Sequence, residues 1–167
     1  PQALGEALSP QAEWMAGRAA VEAQGPGQAQ ERFMLVPGRG QVIITRPIPG
    51  LKLKGTFHYD KGYYYFRNVG DRVLFGGGRN LDFEGETTTQ MLTSELIQNR
   101  LEQMLKEIIL PNQSFEIEQR WAGIMGVGST KKTIVKRTSE NVVCAVRMGG
   151  MGVAIGSLVG KEAAELI

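Results

Sequence analysis

Glycine is concentrated at a few points of this sequence, and its distribution limits the possible folds more than any other feature. The chain contains 22 glycines, and most of them lie in segments 38–40, 76–78, 123–128 and 149–160. Because glycine has no Cβ, such clusters indicate tight backbone geometry rather than disorder. We therefore expect an ordered domain that bends sharply, or approaches a neighbour closely, at these segments.

The last glycine cluster lies between a predicted strand and a predicted helix. Val142–Val146 is strand-like, and the residues after Gly152 repeat at helical spacing. The apolar stripe of this helix is formed by Ile155, Val159, Ala163 and Leu166. Its small residues, which predict a close approach to a neighbouring sheet, are Gly152, Ala154, Gly156 and Gly160. Exposed glycine backbone and the positive end of a helix both suit a phosphate or a ring that accumulates negative charge.

Two glycine clusters resemble nucleotide-binding motifs but lack essential parts. In segment 150–156 the third glycine comes one residue later than in the dinucleotide-binding fingerprint. Neither a second strand nor a ribose-binding acid follows before Ile167. Segment 123–128 is followed by Ser129, Thr130 and then Lys131, so the lysine comes after the hydroxyls, and no helical pattern follows. These departures argue against a complete dinucleotide site and against a nucleoside triphosphatase.

Between Phe33 and Val146 the sequence alternates short strand-like runs with one helical pattern. Strands are predicted at 42–45, 63–67, 72–75, 114–120, 134–135 and 142–146. The second and third of these flank the turn at 68–71 and predict a hairpin. A helix is predicted where Ile97, Leu101, Met104 and Ile108 recur, with an N-cap among Thr87–Thr89 and Pro111 beyond its end. The pattern indicates an α+β fold.

Composition narrows the class of partner and the compartment. The net charge is only +2 with 22% charged residues of mixed sign, which favours neither nucleic acid nor a membrane surface and leaves a small molecule. One cysteine, Cys144, and one histidine, His58, cannot build a disulfide framework or a Cys/His zinc site. No long apolar stretch or secretory signal is present, so we expect a cytoplasmic location.

Five segments occur in an order that resembles the C-terminal half of the D-amino-acid oxidase and glycine oxidase superfamily. They are Pro37–Gln41, Gly55–Asp60 with Tyr63–Arg67, Gly76–Gly78, Arg120–Gly123 and Gly149–Ile167. The resemblance covers about residues 34–167. It implies an FAD-dependent oxidoreductase in which hydride passes from a carbon bearing an amine or hydroxyl to the flavin.

The same resemblance implies a division of the chain and a set of site residues. Residues 34–146 would form a substrate domain on a large antiparallel sheet, and 147–167 a turn and helix that contact the flavin. The cofactor contacts would be Gly149, Gly150, Met151, Gly152 and Val153. The substrate contacts would be Tyr63, Tyr65, Arg67 and the position of Met125. No residue is assigned a catalytic role.

The departures from the family pattern are informative. The arginine that holds the substrate carboxylate in amino-acid oxidases falls on Met125, and a second basic position falls near Gly150. Loss of this bidentate clamp argues against a simple amino acid as substrate. Residues 1–33, rich in Ala, Gln, Gly and Pro, supply no Rossmann half, so we expect them to be a disordered or foreign lead. FAD binding would then need a nucleotide-binding half from outside this chain.

Several residues also have a purely structural interpretation, which the sequence leaves open. Tyr63 and Tyr65 could be cross-strand packing residues, and Gly76–Gly78 could form a bulge. Arg120 and Arg147 could pair with Glu116, with Glu118 or with backbone carbonyls. The corresponding alternative for the whole chain is a non-enzymatic α+β fragment or interaction module that no longer binds the cofactor.

Overall fold

The fold is built on a five-stranded antiparallel sheet. A computed structural model describes residues 35–167, so the lead predicted at residues 1–33 lies outside the described part. The strands are β1 Val36–Thr45, β2 Thr56–Tyr59, β3 Tyr64–Val69, β4 Arg72–Gly77 and β5 Ile117–Val127. Their order across the sheet is β2-β3-β4-β1-β5. The predicted α+β class and antiparallel sheet are therefore confirmed, as is the hairpin, whose link shortens to Gly70-Asp71.

The two glycine-rich strands β1 and β5 are longer than the sequence predicts. The predicted strand 42–45 begins at Val36 in the structure, and the one predicted at 114–120 runs from Ile117 to Val127. The added halves pair with each other, with Gly40 opposite Gly123. Glycine is a poor strand former on its own, and here the backbone ladder between the two strands compensates for that.

One helix covers one face of the sheet and forms the core with it. Helix α1 spans Glu95–Met104 and continues as a π-helical turn at Leu105–Ile109. The core comprises Ile43, Ile48, Tyr64, Val73, Phe75, Ile97, Leu101, Met104, Leu105 and Leu110. The predicted helix is confirmed, but the N-cap expected among Thr87–Thr89 is wrong, because the N-cap position is Ser94. The preceding loop instead runs beside β1, where Arg39 N donates to Glu86 O at 2.7 Å.

The π-helical turn changes which side chain of the predicted stripe is buried. Leu105 is completely buried, whereas Ile108, which the helical spacing places in the core, is 47% exposed. A π turn adds one residue to a helical turn and so rotates everything after it. The inward position after Leu105 therefore falls on Leu110, which is 4% exposed and whose N–H donates to Leu105 O at 2.8 Å.

The remaining described residues form a hairpin and a second helix. Strands β6 Ile134–Ser139 and β7 Val142–Val146 pair antiparallel, and helix α2 spans Gly152–Ala164. The predicted order of strand, glycine turn and helix is confirmed. The close approach predicted for the small residues of α2 is not found at Gly156 and Gly160, where an added Cβ would meet no described atom within 4 Å. The helix instead buries Val159, which leaves those glycines in open space.

Neither helix in residues 35–167 has both the length and the apolar character needed to span a membrane.

The two faces of the large sheet differ in what covers them. The inner face carries Ile43 and Phe75, which pack against α1, and directly opposite residues of neighbouring strands share a face. The opposite face of this sheet is its outer face.

Candidate functional site

One row of side chains crosses the outer face and takes one residue from each strand. Its members, in the order of the strands, are His58, Tyr65, Gly76, Val42 and Trp121. Tyr65 is 37% exposed and Trp121 is 38% exposed, although both lie well inside the sheet along their strands. Two large, partly exposed aromatic rings on one sheet face are typical of a binding surface.

Tyr65 leans across the sheet over its cross-strand partner. A Cβ added to Gly76 would lie 2.6 Å from the Tyr65 hydroxyl oxygen, so the ring occupies the space that a larger residue would fill. Burial raises the pKa of the Tyr65 phenol. The hydroxyl therefore stays protonated at neutral pH and is available as a hydrogen-bond donor to a ligand on this face.

The structure brings together two positions that the sequence singles out for basic groups. Met125 pairs with Gly38, and its ε-methyl carbon lies 3.1 Å from where a Cβ of Gly40 would be. Its sulfur lies 3.2 Å from the equivalent point at Gly150. Positions 125 and 150 are thus neighbours, and both are uncharged. A thioether occupies the place at which the resemblance predicts a carboxylate clamp.

The glycine turn before α2 is tied to the end of β5 and presents bare backbone. Gly149 and Gly150 adopt φ values of 57° and 86°, and Gly149 N donates to Gly126 O at 3.3 Å. A Cβ added at Gly149 would meet nothing within 4 Å. The 13-residue helix α2 starts at the N-cap residue Met151 with no side-chain capping bond. Its first N–H groups have no acceptor within the helix and suit an anionic ligand edge.

Tyr63 and Arg67 do not lie where the sequence pattern suggests. Tyr63 precedes β3 in a helical conformation, because a turn at Asp60–Gly62 comes directly before it, and its ring meets Phe83 edge-on at 6.1 Å. It therefore does not share a strand face with Tyr65. Arg67 shares the outer face but lies in the row of Leu74 and Ile44, three rows, or about 20 Å along the strands, from the row of Met125.

The two arginines with a structural alternative are both engaged with the protein. Arg147 Nε donates to the carbonyl of Lys132 at 2.8 Å, as the structural interpretation expects. Arg120 lies on the inner face and donates to Gln98 and Glu102 of α1, rather than pairing with Glu116 or Glu118. Those two acids pair with Arg46 and Arg72 instead. Arg120 is therefore engaged through both Nη atoms by α1, and Arg147 is held through its Nε by the backbone.

A buried polar network on the inner face was not anticipated from the sequence. Arg39 forms a bidentate pair with Glu86 at 2.9 and 2.6 Å, and Gln41 and Ser94 also donate to that carboxylate. Burial acts to raise the pKa of Glu86, but the hydrogen bonds, led by that from Arg39, outweigh it and lower the pKa. The available signal was the alternation of Arg39 and Gln41 with the core residue Ile43.

Two clefts lie elsewhere on the described surface. One of about 450 Å³ is lined by residues 50–53 and 109–113, and one of about 300 Å³ by residues around Arg137 and Ile167. Neither contains any residue that the sequence singles out for substrate or cofactor. The candidate site is accordingly the open outer face between Tyr65, Trp121, Met125 and the glycine turn.

Comparisons with known proteins agree with this architecture. A model of a family described as FAD-dependent oxidoreductases matches residues 8–166. The L-proline dehydrogenase of P. horikoshii is similar in structure, with a TM-score of 0.66, 20% identity, and coverage of 83% of this chain and 37% of that one. An iminodiacetate oxidase from a Chelativorans species is also similar, with a TM-score of 0.63 and 22% identity. That match covers 78% of this chain and 35% of the oxidase. The chain thus spans little more than a third of either structure. No curated protein sequence matches it.

Proposed function

The chain belongs to the family of FAD-dependent oxidoreductases, and on that premise we propose that it forms the substrate-binding side of a flavin site. The family's cofactor is FAD, which when bound accepts a hydride from a substrate carbon beside an amine or hydroxyl. The observation that carries the proposal is the contact between Met125, on the outer face, and Gly150, in the glycine turn. Through this contact the outer face, which suits a substrate, lies next to the glycine turn, whose backbone suits a cofactor.

The glycine turn fits one edge of the flavin ring. Gly149 and Gly150 place no side chain between their backbone and a planar ligand, and the uncapped start of α2 directs the positive end of a helix toward it. We assign the ring contact to Gly149, Gly150, Met151, Gly152 and Val153. Such a helix end stabilises negative charge on the pyrimidine side of the ring, where charge accumulates on reduction.

The outer face fits the substrate. Trp121 and Met125 provide apolar walls, and the protonated Tyr65 hydroxyl provides a donor that can orient a polar group. The two similar structures are named for L-proline and iminodiacetate, both of which are secondary amines that carry carboxylate. Their names support an amine of this kind as the substrate class.

The described residues supply only part of an FAD site. Residues 35–167 contain no strand, glycine turn and helix followed by a second strand and an acid that could bind the pyrophosphate and ribose. We propose that a nucleotide-binding half outside these residues completes the site. Residues 34–146 are then the substrate domain, and 147–167 the flavin-contacting turn and helix.

Flavin retention and flavin reduction test this proposal. Purified together with its nucleotide-binding half, the protein should keep yellow absorbance after desalting and gain thermal stability with added FAD. Under anaerobic conditions a secondary amine that carries carboxylate should bleach that absorbance. If the assembled protein neither retains nor is stabilised by FAD, the proposal is wrong and a non-enzymatic module takes its place.

A further inference from the structure

The turn after β4 holds two buried polar atoms that lack partners. Arg79 Nε and Asn80 Oδ1 are the two buried side-chain polar atoms, among residues 35–167, for which no hydrogen-bond partner is present. They are neighbours in one short 3₁₀ turn, Arg79–Leu81. A buried polar group without a partner is costly, so the Arg79 Nε donor indicates that an acceptor is missing beside this turn.

Arg79 reaches the outer face at Gly38, the cross-strand partner of Met125. Its Nε is 3.1 Å from the point that a Cβ of Gly38 would occupy, and Gly38 is the cross-strand partner of Met125. Val127, on the same face as Met125, approaches the same point at 3.0 Å. The absence of a side chain at Gly38 therefore lets a guanidinium enter the row in which the resemblance predicts a carboxylate-binding arginine.

The guanidinium of Arg79 is held in place without being neutralised. It lies over the ring of Phe83, with Cζ 5.2 Å from the ring centroid, and its Nη2 donates to Thr87 Oγ1 at 3.3 Å. Among residues 35–167 no ion pair joins Arg79 to a carboxylate, and its Nε also lacks a hydrogen-bond partner. A fixed, unpaired cation is organised in advance for an anionic ligand.

We propose that Arg79 binds the carboxylate of the substrate, in place of the arginine that is absent at position 125. This inference rests on the proposed function and adds a specificity-determining residue to the same site. The planar guanidinium offers parallel N–H donors that match the two oxygens of a carboxylate. The substrate class is therefore an amine that carries a carboxylate.

Ligand affinity gives the first test. In the FAD-loaded protein the dissociation constants of pyrrole-2-carboxylate and of its uncharged amide are measured by calorimetry. Arg79→Met should weaken the carboxylate about 10- to 100-fold and leave the amide within about 3-fold, because only the anion loses a charge-assisted pair. Arg46→Met, an exposed arginine paired with Glu116, is the matched control and should change neither constant. Equal weakening of both probes by Arg79→Met would overturn the proposal.

Side-chain NMR gives a second readout that does not depend on turnover. The ¹⁵N signal of Arg79 Nε, assigned through its loss in Arg79→Lys, should shift when pyrrole-2-carboxylate is added and not when the amide is added. An Arg79 Nε signal that does not shift when pyrrole-2-carboxylate is added contradicts the proposal. So does a signal that already shows a hydrogen bond in the FAD-loaded protein without probe, because the acceptor then belongs to the protein.

A double variant that moves the positive charge from position 79 to position 125 completes the test. Met125→Arg in the Arg79→Met background should recover part of the lost carboxylate affinity, since the two positions adjoin the same strand pair. Failure to recover, with FAD retained, would place the carboxylate elsewhere. Flavin absorbance is recorded for every variant, so a failure of the proposed function, seen as no bound FAD, is distinguished from a failure of Arg79 alone.

Discussion

At the scale of single residues, two adjacent glycines of β4 are required for different reasons. A Cβ at Gly76 would meet the Tyr65 ring, which is the movable end of a side chain. A Cβ at Gly77 would meet the backbone of Tyr63 and Tyr64, and Gly77 has a φ of 126°. Their pairing with β1 shows no register shift, so the bulge suggested for 76–78 is not formed at Gly76 or Gly77.

This difference predicts opposite phenotypes. Gly77→Ala should lower the free energy of unfolding by at least about 1–3 kcal/mol, because neither the backbone conformation nor the contact can relax. Gly76→Ala should cost much less stability but displace Tyr65, and so weaken ligand binding on the outer face. Urea unfolding and calorimetry separate the two effects. Similar losses of stability in both variants would show that the Tyr65 ring cannot move.

The Arg39–Glu86 pair predicts a defined response to acid. Because the folded-state pKa of Glu86 lies below its ordinary value of 4.5, the stability it contributes is complete above that pH and is lost as the pH falls through the lowered pKa. Glu86→Gln should therefore flatten the pH dependence of unfolding below about pH 4.5. The matched control is Glu116→Gln, whose pair with Arg46 is exposed and should contribute little to stability.

Removing the Glu86 carboxylate should also be costly at neutral pH. Glu86→Ala leaves the Arg39 guanidinium buried without its partner, and breaking such a pair typically costs about 3–5 kcal/mol. Chemical denaturation at pH 7 measures this loss in the free energy of unfolding. A loss below about 1 kcal/mol would mean that water reaches Arg39, as at an exposed pair.

The sequence could not reveal this pair, because its members are 47 residues apart and meet only through the register of β1 with the loop.

At the scale of elements, the π-helical turn makes a prediction that contradicts simple helical spacing. Leu105→Ala should cost about 2–5 kcal/mol because the residue is fully buried, whereas Ile108→Ala, at 47% exposure, should cost under about 1 kcal/mol. Denaturant titrations of the two variants test this directly. A loss of about 2 kcal/mol or more for Ile108→Ala would mean that α1 continues as a regular helix and turns Ile108 into the core.

The elements that the sequence predicts well are those with a local signal. The hairpin of β3 and β4 follows from alternating aromatic residues around a glycine turn, and α1 follows from its apolar spacing. The glycine-rich halves of β1 and β5 have no such signal, because each is stabilised by the other across 80 or so residues of intervening chain. Trp121 belongs to one of these halves, and Arg79 approaches the other at Gly38, which is why their place on the outer face needs the structure.

At the scale of the whole molecule, α2 leaves a surface that the proposed nucleotide-binding half would cover. Gly156 and Gly160 face open space, and Val153 and Leu158 are exposed. Gly156→Ala should raise the stability of α2 by about 0.5–1 kcal/mol through helix propensity. Gly156→Phe should leave this chain folded but prevent assembly with the other half, measured as loss of retained FAD. Full FAD retention by Gly156→Phe would show that this face of α2 stays uncovered.

The row that crosses the outer face has an evolutionary consequence. His58, Tyr65, Gly76, Val42 and Trp121 come from five separate strands and meet only through strand register. A point substitution alters one position of this surface and leaves the other four in place, so ligand preference can change in single steps. An inserted residue within a strand reverses the faces of all residues beyond it and moves Tyr65 or Trp121 toward α1. Divergence among such chains should therefore accumulate as substitutions within strands and as length changes between them.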